Sequence, residues 1–193
     1  MNPIAYQLKE IDRLMSELKM DYAILGGIAV SIYGEPRLTY DIDVNVMLGK
    51  EDIEGFLKKA KKHGFSPLPK NIRKFVKRTG VIPARFSKSG VTGLDDFIIA
   101  QNILEFQAIA RARYTRVYSS RVKVIRAEDL LLHKLLSDRP RDREDAVGII
   151  RRQGAALDAR YINFWLKKVA KLGHRPALAR LFRKLGSGPK GTG

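Results

Sequence analysis

Asp41 and Asp43 lie one residue apart in the run DIDVNV, where Ile42, Val44 and Val46 alternate with Asp41, Asp43 and Asn45. Such a two-residue alternation of apolar and polar side chains is the pattern of a strand with one buried face. Both carboxylates then project to the same side, with Cα atoms about 7 Å apart. Acids so placed can share hard cations, and Mg²⁺ typically takes one or two carboxylates together with phosphate oxygens. Upstream, Gly26-Gly27 separates the apolar run Tyr22–Leu25 from the apolar segment Ile28–Tyr33. Glycines at the mouth of a helix let a polyphosphate come close to the backbone, and the helix start offers it unpaired N–H groups. The chemistry these features favour is displacement at phosphorus: cations neutralise a triphosphate, activate an attacking hydroxyl and stabilise the departing pyrophosphate.

The elements that must position these residues follow from the pattern around them. Asn2-Pro3 reads as an N-cap and first turn, and Ile4, Leu8, Ile11, Met15 and Leu18 recur at helical spacing. Tyr22–Leu25 reads as a buried strand, Ile28–Tyr33 as a short helix closed by Gly34 and Pro36, and Asp41–Met47 as the strand that carries the acids. Glu51–His63 is an amphipathic helix with acids first and lysines last, stopped by Gly64. The stretch 66–93 is rich in glycine, proline and basic residues and gives only a coarse reading. Phe97–Ile99 predicts a strand, Ile103–Arg113 a helix and Val122–Ile125 a strand. Helices are expected over Glu128–Leu136, Arg141–Arg152, Asp158–Leu172 and Pro176–Leu185. Strands early and helices late indicate an α+β fold. The expected organisation is a catalytic core over 1–126, a helical part over 127–185 and a disordered tail over 186–193.

The segment LGGIAVSIYGEPRLTYDIDVNV resembles the signature of the nucleotidyltransferase superfamily, Gly-Gly or Gly-Ser followed after a spacer by Asp-x-Asp. Its spacer, Gly27 to Asp41, holds thirteen residues and is at the long end of that pattern. Gly34, Arg37, Thr39 and Asp41-Ile42-Asp43 are similar to a bacterial branch that includes the toxin half of abortive-infection-type toxin–antitoxin pairs. The resemblance implies a mixed β-sheet core with flanking helices, Mg²⁺ or Mn²⁺ as cofactor and an NTP as substrate. It implies that Gly26, Gly27, Arg37 and Thr39 bind the nucleotide. It also implies a further carboxylate on a neighbouring strand, as metal ligand and acceptor of the attacking hydroxyl's proton. Asp96, at the head of Phe97-Ile98-Ile99, is the choice. Asp95 is the alternative; in a strand the two face opposite sides, so only one can serve.

A second stretch, AEDLLLHKLLSDRPRDREDAVGII, resembles the helical motif of the same branch. The match falls on Lys134, Arg139, Arg141, Asp142 and Asp145. With Leu130, Leu131 and Leu135 on the other face of its helix, Lys134 is not needed for the core and is expected to meet the triphosphate as a point charge. Asp142 is expected to anchor Lys134 or Arg139. Together the two resemblances span about residues 24–150, with nothing recognisable in 66–93.

Composition narrows what remains. The chain has 193 residues, a 45% hydrophobic fraction and a formal charge of +17, so a real core and an affinity for polyanions are both expected. Nucleic acid is the commonest such partner, and from Arg151 onward Asp158 is the only acid among many arginines and lysines. The absence of cysteine excludes disulfides, thiolate catalysis and cysteine-held zinc. His63, His133 and His174 lack zinc spacing and read as surface residues. No apolar run reaches the roughly 20 residues of a membrane span and no secretory signal opens the chain, so a cytoplasmic protein is expected. The expected activity is transfer of a nucleotide to an RNA acceptor such as a tRNA end, with an antitoxin protein as a candidate partner. A protein hydroxyl is the alternative acceptor, and a catalytically dead basic module the alternative without chemistry.

Overall fold

The structure, a computed structural model, describes residues 2–39 and 41–173. The chain divides into two compact units, one of residues 1–28 and 38–125, the other of residues 29–37 and 126–193.

The first unit is built on a seven-stranded sheet. Its elements are helix α1 (Pro3–Leu18), strand β1 (Tyr22–Ile24), strand β2 (Asp41–Val46), a 3₁₀ turn (Lys50–Asp52), helix α3 (Ile53–Lys62), strand β3 (Phe65–Pro67), helix α4 (Ile72–Thr79), strands β4 (Val81–Lys88) and β5 (Val91–Ile99), helix α5 (Ile103–Arg111), and strands β6 (Arg113–Val117) and β7 (Ser120–Val124). Helix α2 (Gly26–Tyr33) begins in this unit and continues into the other. The strand order is β3-β4-β5-β2-β1-β7-β6, with β2 parallel to β5, β1 parallel to β7 and the remaining neighbours antiparallel. This mixed sheet flanked by helices is the α+β arrangement that the sequence predicts.

Asn2 caps α1 as expected, its side chain accepting from the Ala5 N–H at 3.1 Å, and Pro3 occupies the first turn. Leu8, Ile11, Leu14 and Met15 are buried along one stripe of α1, which packs on β5 and β7. Beneath α3, Phe56, Phe65, Phe86 and Phe97 form an aromatic cluster in which Phe97 meets Phe56 and Phe65 edge-on at 5.1 and 5.4 Å. Glu10 is fully buried on α1, where Arg13, Lys88 and His63 surround its carboxylate at 2.6, 2.7 and 3.1 Å. Burial works to raise its pKa, but the bonds from Lys88, Arg13 and His63 outweigh it and hold Glu10 below the usual carboxylate range. His63, expected at the surface, is half-buried and links the buried Glu10 to the exposed Glu17.

The coarse stretch 66–93 resolves into most of β3, all of α4 and β4, and the first three residues of β5. The strand expected over Phe97–Ile99 is the end of a nine-residue strand. Strand β6 has no counterpart in the sequence reading, which carries the preceding helix on to Arg113.

The second unit is helical: the end of α2, then α6 (Ala127–Leu136), α7 (Pro140–Gln153), a 3₁₀ turn (Gly154–Ala156) and α8 (Ala159–Gly173). Helix α6 packs on both α7 and α8, and Ile162, Trp165 and Leu166 bury one side of α8. The helix expected over Pro176–Leu185, the tail from 186 and His174 lie outside the described residues. Among the described residues, no helix is long and apolar enough to cross a membrane.

Candidate active site

Strand β2 alternates as predicted over its first half, with Ile42, Val44 and Val46 buried while Asp41 is exposed and Asp43 partly exposed. Asn45, expected on the open face with the acids, is instead 1% exposed because that side of the sheet is covered at this end of the strand. Because β2 and β5 run parallel in register, Asp43 stands opposite Asp96 and Asp41 opposite Leu94. Residues opposite one another, or two apart, share a side of the sheet. Asp41, Asp43 and Asp96 therefore converge, each offering a carboxylate oxygen within 4.8 Å of the other two. Negative charges this close repel unless a cation lies among them. Burial first, and then the charge of Asp41, push the Asp96 carboxyl above its ordinary pKa. An all-oxygen donor set with surplus negative charge suits a hard cation, so these residues fit Mg²⁺ or Mn²⁺.

Asp95 faces the other way. It is 1% exposed, and Gln7 of α1 donates from Nε2 to its Oδ1 at 2.8 Å and to the Leu94 carbonyl at 3.2 Å. Its Oδ2 has no hydrogen-bond partner. Burial pushes the Asp95 carboxyl up to about 8, against the bond from Gln7 and with the charges of Asp96 and Asp41 adding to the rise. Of the two adjacent acids, only Asp96 joins Asp41 and Asp43.

The glycine pair lies within α2 itself rather than ahead of it. Gly26 has φ +59°, and a Cβ there would overlap the Asp43 carboxylate, so no other residue can open this helix against Asp43 without displacing it. A Cβ on Gly27 would sit 2.5 Å from Thr39 Oγ1. That hydroxyl in turn reaches Asp41, at 3.0 Å from Oδ1 and 3.1 Å from the carbonyl oxygen. The first turn of α2, Thr39 and the carboxylates are thus packed into one locus of the first unit.

The remaining predicted residues meet in the second unit. Lys134 on α6 contacts Asp142 Oδ1 at 2.5 Å and Asp145 Oδ2 at 2.8 Å, both on α7. Arg139 Nε adds 2.6 Å to Asp142 Oδ2, and Arg37 grips Asp145 from Nε and Nη2 at 3.2 and 3.3 Å. Burial works to raise the pKa of Asp142, but the bonds from Lys134, Ser137 and Arg139 outweigh it and leave it lowered. The expectation that Lys134 stands outside the core as a point charge is corrected here. The residue is 6% exposed, and its ammonium is spent on two carboxylates, because leaving either acid or amine unpaired at this depth costs several kcal/mol. Arg139 is the open member, with a side chain 77% exposed. Arg141 is exposed on α7. Asp145, which ties Arg37 to Lys134, lies three residues beyond Asp142 on the same helix face, and that spacing is the signal in the sequence that marks it. Gln7 carries no such signal.

No family model matches the sequence, and no curated protein matches it. Among solved structures, the fold is similar to an antigenic nucleotidyltransferase-like protein from Paracoccidioides brasiliensis, at 16% identity over 94% of this chain and 93% of that one, with a TM-score of 0.55. It is also similar to the antibiotic-resistance factor ANT(2'')-Ia, at 14% identity over 91% of this chain and 98% of that one, with a TM-score of 0.53. At these identities the likeness establishes the architecture: the chain has a nucleotidyltransferase-like fold.

Proposed function

We propose that this protein is a metal-dependent nucleotidyltransferase that moves a nucleotide from an NTP to an RNA acceptor. The observation that carries the reading is the convergence of Asp41, Asp43 and Asp96 within 4.8 Å beside the glycine-opened start of α2. Asp41, Asp43 and Asp96 hold the cation, Mg²⁺ or Mn²⁺, which when bound supplies charge neutralisation for a triphosphate and its pyrophosphate leaving group. Gly26 and Gly27 let the triphosphate approach the N–H groups of the first turn of α2. Thr39 steadies Asp41 through its hydroxyl. Asp96 accepts the proton of the attacking hydroxyl as that oxygen bonds to the α-phosphorus and pyrophosphate departs.

The formal charge of +17 supports a polyanionic acceptor and disfavours a cationic small molecule. The sequence pattern Gly34, Arg37, Thr39, Asp41-Ile42-Asp43, together with the later Lys134, Arg139 and Asp142, supports a toxin-type enzyme. Its acceptor is then an RNA end such as a tRNA acceptor stem, its partner an antitoxin protein and its setting the cytoplasm. In this reading residues 1–126 form the catalytic core and residues 127–185 a helical part.

Incubation with each α-labelled NTP, Mg²⁺ and either total RNA or total cell protein tests the reading. Label is expected on RNA. Label on protein alone would replace the acceptor, and no transfer of any nucleotide by folded protein would end the enzymatic reading.

A further inference from the structure

The hairpin of β6 and β7, at the edge of the sheet, reads RYTRVYSSRVKV from Arg113 to Val124, with four cations and no acid. Its register pairs Tyr114 with Lys123 and Arg116 with Arg121. These four residues therefore share one face, while Val117, Ser120, Val122 and Val124 are buried on the other. The Arg121 guanidinium lies 5.0 Å from the centre of the Tyr114 ring and the Lys123 ammonium 5.9 Å from it, while Asp21 pairs with Lys123 at 2.6 Å.

Two features of this hairpin work against its own stability. Like charges directly opposite on paired strands repel, and Arg116 faces Arg121 in that way. At the two-residue tip, Tyr118 has φ +52°, a left-handed backbone that glycine or asparagine adopts at much lower cost. Tyr118 is nonetheless a large aromatic, 56% exposed, and Tyr114 is 47% exposed. Exposed rings interleaved with cations along one edge match what single-stranded nucleic acid needs: π-faces for bases and positive charge for the backbone. The face also has a defined side. Val44 pairs with Ile24 and Ile24 with Val124, so Lys123 and Tyr114 share the side of the sheet that carries Asp43 and Asp96.

We propose that the β6–β7 hairpin is a binding surface for single-stranded RNA, with Tyr118 and Tyr114 stacking on bases and Arg116, Arg121 and Lys123 contacting the backbone. Resting on the RNA-acceptor reading above, it holds nucleotides a few positions upstream of the reacting end, since β6 and β2 stand about 10–15 Å apart across the sheet.

The test is equilibrium binding of a fluorescent 12-nucleotide oligo(U) to the full chain without NTP or metal. Tyr114→Ala and Tyr118→Ala are each expected to weaken binding by about 5- to 100-fold, and Tyr118→Phe to keep it. Arg121→Ala is expected to reduce the slope of log affinity against log salt by about 0.7. Tyr118→Gly separates binding from folding: relief of the left-handed strain raises the melting temperature by about 2–4 °C while binding falls. Unchanged affinity for Tyr114→Ala and Tyr118→Gly overturns the proposal. So does blunt duplex RNA or poly-glutamate that competes as well as oligo(U) at equal charge. Oligo(U) binding lost in the tyrosine variants, with no nucleotide transfer to any RNA, would end the enzymatic reading and leave the surface standing. Transfer to RNA with tyrosine variants that bind normally would do the reverse.

Discussion

Asp96 on β5 stands in register with Asp43 on β2, and this single cross-strand pairing turns an alternating strand into a cluster of three acids. Asp41→Asn and Asp43→Asn are each expected to lower nucleotide transfer by about 100-fold or more, since each removes a ligand charge that no neighbour replaces. Both variants should melt no lower than the wild type in the absence of metal, because each also removes repulsion. Turnover assays beside thermal melts check the pair of outcomes.

The charge of Asp41 is one of the two causes that lift the Asp96 carboxyl, the other and larger being burial. Asp41→Asn is therefore expected to move the Asp96 titration to lower pH without returning it to the value of an exposed carboxyl. Carbon-13 NMR of the labelled side chain reads that midpoint directly. Both titrations are compared in metal-free protein, since a cation held by Asp96 would favour its ionised form.

Asp95 titrates in the opposite sense to most acids. Its folded pKa of about 8 lies above the unfolded value of 3.8, so the folded state holds the extra proton between those limits. The stability associated with that proton is complete below the unfolded pKa and is lost as pH rises through the folded one. Asp95→Asn removes the titration and keeps the acceptor for Gln7. It should melt several degrees above the wild type at pH 8.5, with the gap closing towards pH 5. Melting curves across that range decide it.

Lys134→Ala would strand Asp142 and Asp145 beneath the surface with only the two arginines to hold them. Breaking a buried pair from one side typically costs about 3–5 kcal/mol, so the variant should melt far below the wild type. Asp142, whose pKa is lowered, contributes stability that is present above its unfolded pKa and lost as pH falls through the folded one. Acid should therefore narrow the difference between Lys134→Ala and wild type, as circular dichroism against temperature at several pH values would reveal.

Gly26→Ala places a methyl group in the position of the Asp43 carboxylate on a backbone with φ +59°. The expected result is a loss of about 1–2 kcal/mol in stability together with weaker Mn²⁺ binding, readable by electron paramagnetic resonance. Unchanged Mn²⁺ affinity would show that Asp43 does not depend on this glycine.

The parts of the fold that were legible are those where chemistry and periodicity coincide. In β2, the alternation of Ile42, Val44 and Val46 with acids reveals both the strand and its exposed face. The capped, amphipathic α1 is equally plain. Strand β6 was obscured because RYTRV is short and mixes cations with few apolar residues, whereas α4 does space Ile72, Phe75 and Val76 as a helix but is only eight residues long and set among glycines, prolines and cations. The depth of Lys134 and Glu10 was hidden for another reason. Whether a charged side chain is buried depends on partners from other elements, here Asp145 on α7 and Lys88 on β4, which one-dimensional spacing does not bring together. Asp96 could be singled out only because a strand allows one of two adjacent acids to face Asp43. That Asp95 would be held by Gln7 from α1 was written nowhere in the local pattern.

The parallel pairing of β2 with β5 joins segments some fifty residues apart in the chain, with the 3₁₀ turn, α3, β3, α4 and β4 between them. Closing so large a loop costs entropy that only the completed seam returns, whereas β4 and β5 can zip together as neighbours. Ordering of the acidic cluster is therefore a late event in the life of each molecule. A nascent chain that has not yet released β5 from the ribosome has two of its acids and no place to hold a cation.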